Sequence, residues 1–269
     1  MWYTRFKKII LSCVFIAVLA SALTGCTSDK VSDTPSTEET VEKPLPVITV
    51  ENDIGSETVG GKTEEEEGEE EAAEPDPDDY FTAEEIPDDV FAKMQGKSFP
   101  EGCTTPREQL RFLRLLYKDI DGCTHEGEMV CSVTIADKLT DIFRKLYDAD
   151  YPIEKMVLID EYGGDDDASM SDNNTSCFNY RVVSGTTNLS KHAMGLAVDL
   201  NPRYNPYIHT VDGRESVEPA NGEEYADRSR DFSYKIDKED LAYKLFIEAG
   251  FTWGGSWKNS KDYQHFQYM

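Results

Sequence analysis

Two histidines and two aspartates occupy two short segments of this sequence, in an arrangement that could hold a metal ion. His192 and Asp199 lie in residues 190–201, and Asp262 and His265 lie close to the C-terminus. Two imidazoles and one carboxylate form a ligand set that suits zinc and leaves an open position for water. The second carboxylate, Asp262, could serve as a base beside that water. Because the chain has only four histidines, this placement of two of them indicates a catalytic zinc site.

Large apolar residues alternate with other residues over positions 195–201, which predicts a strand that presents Asp199 on the face opposite the core. Leucine or valine occupies positions 196, 198 and 200, so these side chains share one face of the strand. His192 precedes Asp199 by seven residues, which is too far along a straight strand for both to reach one ion. We therefore predict a bend at Gly195, because glycine tolerates the required conformation.

The C-terminal segment predicts a short strand over residues 251–253, a turn at the glycine pair 254–255 and a final strand over residues 263–269. The final strand would carry His265. Asp262 cannot share the face of His265 in a regular strand, so we place it in the preceding turn. There it would reach a metal-bound water rather than the metal. From spacing alone, these residues could also be ordinary polar side chains.

Apolar periodicity predicts three helices and one further strand as the scaffold. The first helix would begin at a capping box in residues 105–108 and end near residue 121. The second would run over residues 134–146, and a strand would follow over residues 153–160. The third helix would begin at residue 237 and end at Gly250, in the position that favours a left-handed residue.

The first 26 residues predict a bacterial lipoprotein signal. Basic residues precede an apolar run over residues 9–19, and the segment ends in Leu-Thr-Gly-Cys, which resembles a lipobox at Cys26. The run is shorter than the ~20 residues that span a bilayer, which favours a signal over an uncleaved membrane anchor. We therefore predict lipid on Cys26 and an extracytoplasmic domain anchored to the cell membrane.

Residues 27–80 predict a disordered, acidic tether, because they contain 19 acidic residues against three lysines. A calcium-binding tail is the alternative. Residues 81–269 predict one domain with a formal charge of −13, which excludes nucleic-acid binding, since phosphate contacts need clustered cations. Its cysteines are Cys103, Cys123, Cys131 and Cys177. An extracytoplasmic location permits disulfides, but the sequence does not determine which of these cysteines pair. A second metal site at Cys123, His125 and Cys131 fits no familiar zinc spacing, and we expect His125 and His209 in loops or on the surface.

The segment from Ser190 to Asp199 resembles the signature Ser-x-His-x-x-Gly-x-Ala-x-Asp of zinc peptidases that cut the stem peptides of bacterial cell walls. This group includes D-alanyl-D-alanine carboxypeptidases, the D-alanyl-D-alanine dipeptidases of vancomycin resistance and L-alanyl-D-glutamate endopeptidases. The resemblance extends over roughly residues 100–269. It implies an α+β fold, shared with hedgehog and lysostaphin-type domains, in which a small antiparallel sheet with packed helices carries one zinc ion.

By position, the resemblance makes His192, Asp199 and His265 the zinc ligands and Asp262 the general base. Many carboxypeptidase members have glutamate at that last position, and the C-terminal motif looks closer to the endopeptidase branch. Members of the group also use an arginine ahead of the first histidine to hold the substrate or the oxyanion. Arg181 is the nearest candidate, with a plain salt bridge as its alternative role.

Four further side chains could contact the substrate: Ser190, Tyr180, Trp257 and Tyr263. Ser190 could instead fix the turn before His192, and Trp253 is expected in the core. The implied partners are peptidoglycan stem peptides and, through Cys26, the membrane, and we expect a monomer. Two alternatives to the peptidase stay open: an inactive relative that binds wall peptides or metal, and a structural or solute-binding lipoprotein.

Overall fold

The computed structural model describes residues 75–183 and 185–269, so the predicted signal, Cys26 and residues 27–74 lie outside the described residues. The strands described are β1 (Thr82–Glu84), β2 (Leu110–Lys118), β3 (Thr124–Ser132), β4 (Ala197–Asp199), β5 (Tyr207–Val211), β6 (Arg214–Glu218), β7 (Thr252–Trp253), β8 (Lys261–Asp262) and β9 (His265–Gln267). The α-helices described are α1 (Asp88–Met94), α2 (Ala136–Asp148), α3 (Asp166–Ser171) and α4 (Leu241–Glu248). In this part of the chain, no helix is long and apolar enough to cross a membrane.

The strands form three small antiparallel sheets. β2 lies between β1 and β3, β9 lies between β4 and β7, and β5 lies between β6 and β8. Helix α2 packs against β2 and against α4. This arrangement agrees with the predicted α+β class.

Aromatic side chains from two helices support the strand that carries His265. Phe143 of α2 contacts Phe246 of α4 edge-on, with ring centroids 6.5 Å apart, and Phe246 stacks on Phe266 of β9 at 4.3 Å. All three are fully buried. Because neighbouring side chains of a strand point to opposite faces, the burial of Phe266 turns His265 away from this core.

Two of the predicted helices are present, but α4 begins at Leu241 and not at the predicted residue 237. Helix α2 buries its apolar stripe, and α4 ends just before Gly250, which has a φ of 95°. The carboxylate of Asp240 caps α4 by accepting hydrogen bonds from the N–H groups of Ala242 and Tyr243. Helical spacing and a left-handed glycine after the last turn are local signals, which is why the sequence carried them.

The helix predicted over residues 105–121 is wrong, because Leu110–Lys118 is strand β2. The strand pairs with β1 on one edge and with β3 on the other, and apolar side chains on both of its faces are buried. A strand buried on both faces lacks simple alternation and can imitate a helical pattern. The hydroxyl of Thr105 does not cap a helix but donates to the carbonyl of Ala193 at 2.7 Å.

The strand predicted over residues 153–160 is also wrong. The backbone groups of this segment find separate partners instead of one ladder. Ile153 donates its N–H to Lys118, and Met156 accepts from Glu128. The segment then ends in a 3-10 turn, Ile159–Tyr162.

The cysteines of the described residues are free thiols: Cys103, Cys123, Cys131 and Cys177. His125 does not join them in a metal site, because its Nε2 lies 2.7 Å from the carboxylate of Asp119. His125 is exposed, as predicted, whereas His209 lies in strand β5, with its Nε2 2.9 Å from Glu218 Oε1.

Candidate metal centre

The first ligand segment turns sharply between His192 and Asp199. His192 begins a single 3-10 turn, and Gly195 follows that turn with a φ of 63°. A Cβ at Gly195 would lie 2.5 Å from the backbone nitrogen of Ser132, whose N–H donates to the Gly195 carbonyl at 2.8 Å. Both the left-handed backbone and the close approach of β3 therefore require glycine. The predicted bend is confirmed.

The second ligand segment brings His265 opposite Asp199. These two residues are register partners in the antiparallel pair of β4 and β9. Directly opposed residues of such a pair project their side chains to the same face. Asp262 does not lie in the predicted turn: it belongs to β8 and pairs with Tyr207 of β5. The β5–β6 hairpin was not predicted from the sequence, and its strand β5 supplies the pairing partner of Asp262.

Three side chains converge at one buried point. Asp199 Oδ2 lies 3.1 Å from His192 Nε2, and Asp199 Oδ1 lies 3.0 Å from His265 Nδ1. The two histidine nitrogens are 3.2 Å apart. These three residues form the metal group. Their ligand atoms all lie within 4.8 Å of one another and could share a metal ion.

The chemistry of these donors fits a metal ion. The Nδ1–H of His192 donates to the carbonyl of Cys177 at 2.6 Å, which leaves a lone pair on Nε2 of the neutral ring. That lone pair faces the carboxylate of Asp199 and the second histidine, so a neutral His192 brings electron-rich atoms together. A cation at this point would relieve their repulsion. Two nitrogens and one carboxylate oxygen match a three-ligand catalytic zinc set.

The electrostatics of Asp199 and His192 agree with a site that attracts a cation. Burial alone would raise the pKa of Asp199, but His192 and His265 hold that pKa far below its usual range. Burial would likewise lower the pKa of His192, but the carboxylate of Asp199 outweighs it and raises that pKa. Asp199 is therefore ionised in the fold, and its negative charge is available to an ion.

Asp262 adds a second carboxylate, one oxygen of which has no hydrogen-bond partner among the described residues. Its Oδ1 is shielded from solvent and accepts no hydrogen bond from the described residues. Burial raises the pKa of Asp262, His265 opposes the shift, and the negative charge of Asp199 adds to it. The residue is packed tightly, since a Cβ at Gly254 would lie 2.7 Å from the Asp262 Cβ and 3.3 Å from the His265 Cβ.

Residues 184–268 match a family model described as D-alanyl-D-alanine carboxypeptidase. The match covers less than half of the chain, but it includes the whole His–Asp–His group and Asp262. The comparisons with curated proteins and with solved structures found no match. The family match and the buried group together support a metal-dependent peptidase.

Arg181 precedes the matched residues and forms an ion pair. Its Nη2 lies 2.6 Å from Asp166 Oδ2, at the start of α3, while its Nε is buried without a partner. The positive charge of Arg181 lowers the pKa of both His192 and Asp262, after the larger effects of burial and the neighbouring charges, so it acts on the site. Its predicted role toward the substrate stays a prediction.

The side chains of Ser190 and Tyr180 form hydrogen bonds with other residues of the protein. Ser190 is buried, and its Oγ accepts a hydrogen bond from the N–H of His192 at 3.2 Å. This contact fits the alternative role of Ser190, which is to fix the turn before His192. The hydroxyl of Tyr180 lies 2.9 Å from Thr104 Oγ1, and its ring packs against a core cluster.

Of the two remaining aromatic candidates, Trp257 lies nearer the metal group. Its ring centroid is 5.4 Å from that of His265, and the side chain is partly exposed. Tyr263 instead packs against Trp253 at 5.7 Å and lies under the guanidinium of Arg228 at 4.3 Å. Trp253 is buried in the core, as predicted, and donates its indole N–H to the Tyr263 carbonyl.

A cleft of about 660 Å³ lies outside the metal group and shares no residue with it. Its walls include Asp119, Glu154 and three tyrosines, Tyr204, Tyr225 and Tyr234. The two carboxylates are already paired with His125 and Arg203, respectively. The cleft is therefore separate from the candidate metal site at the buried His–Asp–His group.

Proposed function

We propose that this protein is an extracytoplasmic zinc peptidase that hydrolyses an amide bond in the stem peptides of peptidoglycan. The observation that carries the proposal is the convergence of His192, Asp199 and His265 beside Asp262, whose buried Oδ1 has no partner among the described residues. The family match over residues 184–268 supports the peptide substrate.

His192 Nε2, Asp199 and His265 Nδ1 would hold the zinc ion, and Arg181 would bind the substrate or its developing oxyanion. When bound, zinc supplies Lewis acidity toward the scissile carbonyl and lowers the pKa of a coordinated water. Ionised Asp199 offsets part of the charge of the cation.

Asp262 would transfer the proton during the reaction. Its Oδ1 accepts no other hydrogen bond, so it is free to take a proton from the attacking water and return it to the departing amine. The burial that raises the pKa of Asp262 makes it a stronger base than an exposed aspartate. An aspartate is one methylene shorter than glutamate, and the close packing of Gly254 allows its backbone to approach the site.

Two bonds are the candidates for cleavage. The description of the matched family favours the terminal D-alanyl-D-alanine bond. The resemblance of the C-terminal motif favours the L-alanyl-D-glutamate bond instead. Lipid on Cys26 would keep the domain at the membrane, with the acidic segment as a spacer toward the wall, and Trp257 would line the peptide groove beside His265.

The test is a digest of purified peptidoglycan by the full chain, analysed by mass spectrometry of the muropeptides. Loss of one alanine indicates carboxypeptidase activity, and release of whole stem peptides indicates endopeptidase activity. Activity should disappear with a chelator and return with added zinc. A zinc-loaded chain that leaves peptidoglycan unchanged would exclude the proposed peptidase and favour an inactive relative.

A further inference from the structure

Gln267 contacts the side of His265 that faces away from the metal group. The Oε1 atom of Gln267 lies 3.2 Å from His265 Nε2, whereas His265 Nδ1 lies 3.0 Å from Asp199 Oδ1. The two ring nitrogens of His265 therefore have separate partners, one outside the metal group and one inside it.

The position of Gln267 follows from the strand. Residues two apart in a strand project to the same face, so His265 and Gln267 lie side by side along β9. The backbone of Gln267 is anchored, because its carbonyl accepts from the Thr252 hydroxyl and it is the register partner of Thr252 in β7. The amide nitrogen of Gln267 is directed to the sulfur of Met269 at 3.6 Å, which leaves Oε1 toward the histidine.

The amide oxygen can only accept, so a hydrogen bond to it requires the hydrogen of His265 on Nε2. Nδ1 then carries the lone pair and faces Asp199 and His192. His192 has the opposite tautomer, because the Cys177 carbonyl holds its Nδ1–H. We propose that Gln267 is a positioning residue that fixes the Nε2–H tautomer of His265 and directs the Nδ1 lone pair to the metal.

This inference rests on the proposed metal site and adds the outer partner of one ligand. Outer hydrogen-bond partners of a ligating histidine orient its ring and raise its basicity, and their loss weakens metal binding by roughly 10–100-fold. The main-chain partner of His192 cannot be removed by substitution. The side-chain partner of His265 can.

The experiment measures the zinc dissociation constant of the full chain by competition with a chromophoric chelator. Gln267→Leu should bind zinc about tenfold or more weakly, because Nε2–H loses its acceptor. Gln267→Glu retains an acceptor oxygen at the same reach and should bind at least as tightly as the wild type. Gln109→Leu, which removes an exposed amide just before β2, is the matched control and should leave the affinity unchanged.

Proton NMR of the zinc-loaded chain supplies a second readout that a merely structural role would not move. The Nε2–H proton of His265 should exchange slowly in the wild type and in Gln267→Glu, and rapidly in Gln267→Leu. Equal zinc affinity and equal exchange in the wild type and Gln267→Leu would overturn this inference alone. A wild-type chain that binds no zinc would overturn the proposed function and this inference together.

Discussion

The two ligand segments face one another across the metal group, but the fold holds them in different ways. The segment of His192 and Asp199 is held mainly by backbone: Cys177 holds the imidazole, and Ser176 bridges Asp199. The backbone of His265 lies in the middle strand β9, but its imidazole is held by a side chain and by close packing against glycine, with Gln267 and Gly254 beside it.

This difference predicts which property of the protein a substitution near each histidine should change. Backbone contacts persist when neighbouring side chains change, so the first segment should depend on its conformation and on the stability of the fold. Side-chain contacts are removed one at a time, so the position of the His265 imidazole should be adjustable without unfolding. Neighbours of His265 should therefore change metal affinity and rate, whereas neighbours of His192 should change the free energy of unfolding.

The largest effect should come from the ligands themselves, where the two segments should behave alike. His192→Ala and His265→Ala should each abolish stoichiometric zinc, because a catalytic site with two protein ligands no longer holds the ion tightly. Elemental analysis of each purified variant measures this. A full equivalent of zinc in either variant would remove that histidine from the ligand set.

Asp262→Asn should separate catalysis from metal binding. The amide keeps the shape but cannot accept a proton, so kcat should fall by roughly 10²–10⁴-fold while zinc content stays at one equivalent. The exposed carboxylate of Asp227, changed to asparagine, is the control and should leave kcat unaltered. Turnover at the wild-type rate in zinc-loaded Asp262→Asn would exclude Asp262 as the base.

The pair Gly195→Ala and Gly254→Ala tests the comparison directly. Alanine at Gly195 would have an unfavourable φ and meet the Ser132 nitrogen, so the free energy of unfolding should fall by about 2 kcal/mol or more. Alanine at Gly254 would press on the Asp262 backbone, so kcat should fall at least about tenfold through loss of orientation. Denaturant unfolding and steady-state kinetics measure the two effects, and the reverse pattern would contradict the assignment of roles to the two segments.

Ser190→Ala should have the smallest effect. It removes one hydrogen bond to the N–H of His192, so we expect about 1 kcal/mol of lost stability and activity within about fivefold of the wild type. The measurement is KM and kcat on a defined muropeptide. A large increase in KM at unchanged stability would instead support the predicted contact of Ser190 with the substrate.

The sequence predicted which side chains converge better than it predicted the scaffold. His192, Asp199 and His265 could be selected because few residue types bind metals and the chain has few histidines. The bend at Gly195 could be predicted because seven residues of straight strand cannot return to one ion. Helix α2 carried a local signal in its apolar spacing, and α4 carried one in its spacing and in Gly250 after its last turn.

The scaffold errors have a shared physical cause. Strand β2 is defined by pairing with β1 and β3, and its apolar run was compatible with a helix until those partners were known. Asp262 belongs to β8 because the distant β5–β6 hairpin offers an edge. Local propensity cannot reveal a hydrogen-bonding partner that lies far away in the chain.

By itself, the sequence determined the chemical inventory of the centre: two imidazoles, a ligand carboxylate and a spare carboxylate at defined spacings. Tertiary structure alone decided which nitrogen of each histidine faces Asp199, that Asp262 has an oxygen without a partner among the described residues, and that Arg181 pairs with Asp166. Donor types are properties of residues, whereas lone-pair directions and unmet hydrogen bonds depend on neighbours that only the folded chain brings together.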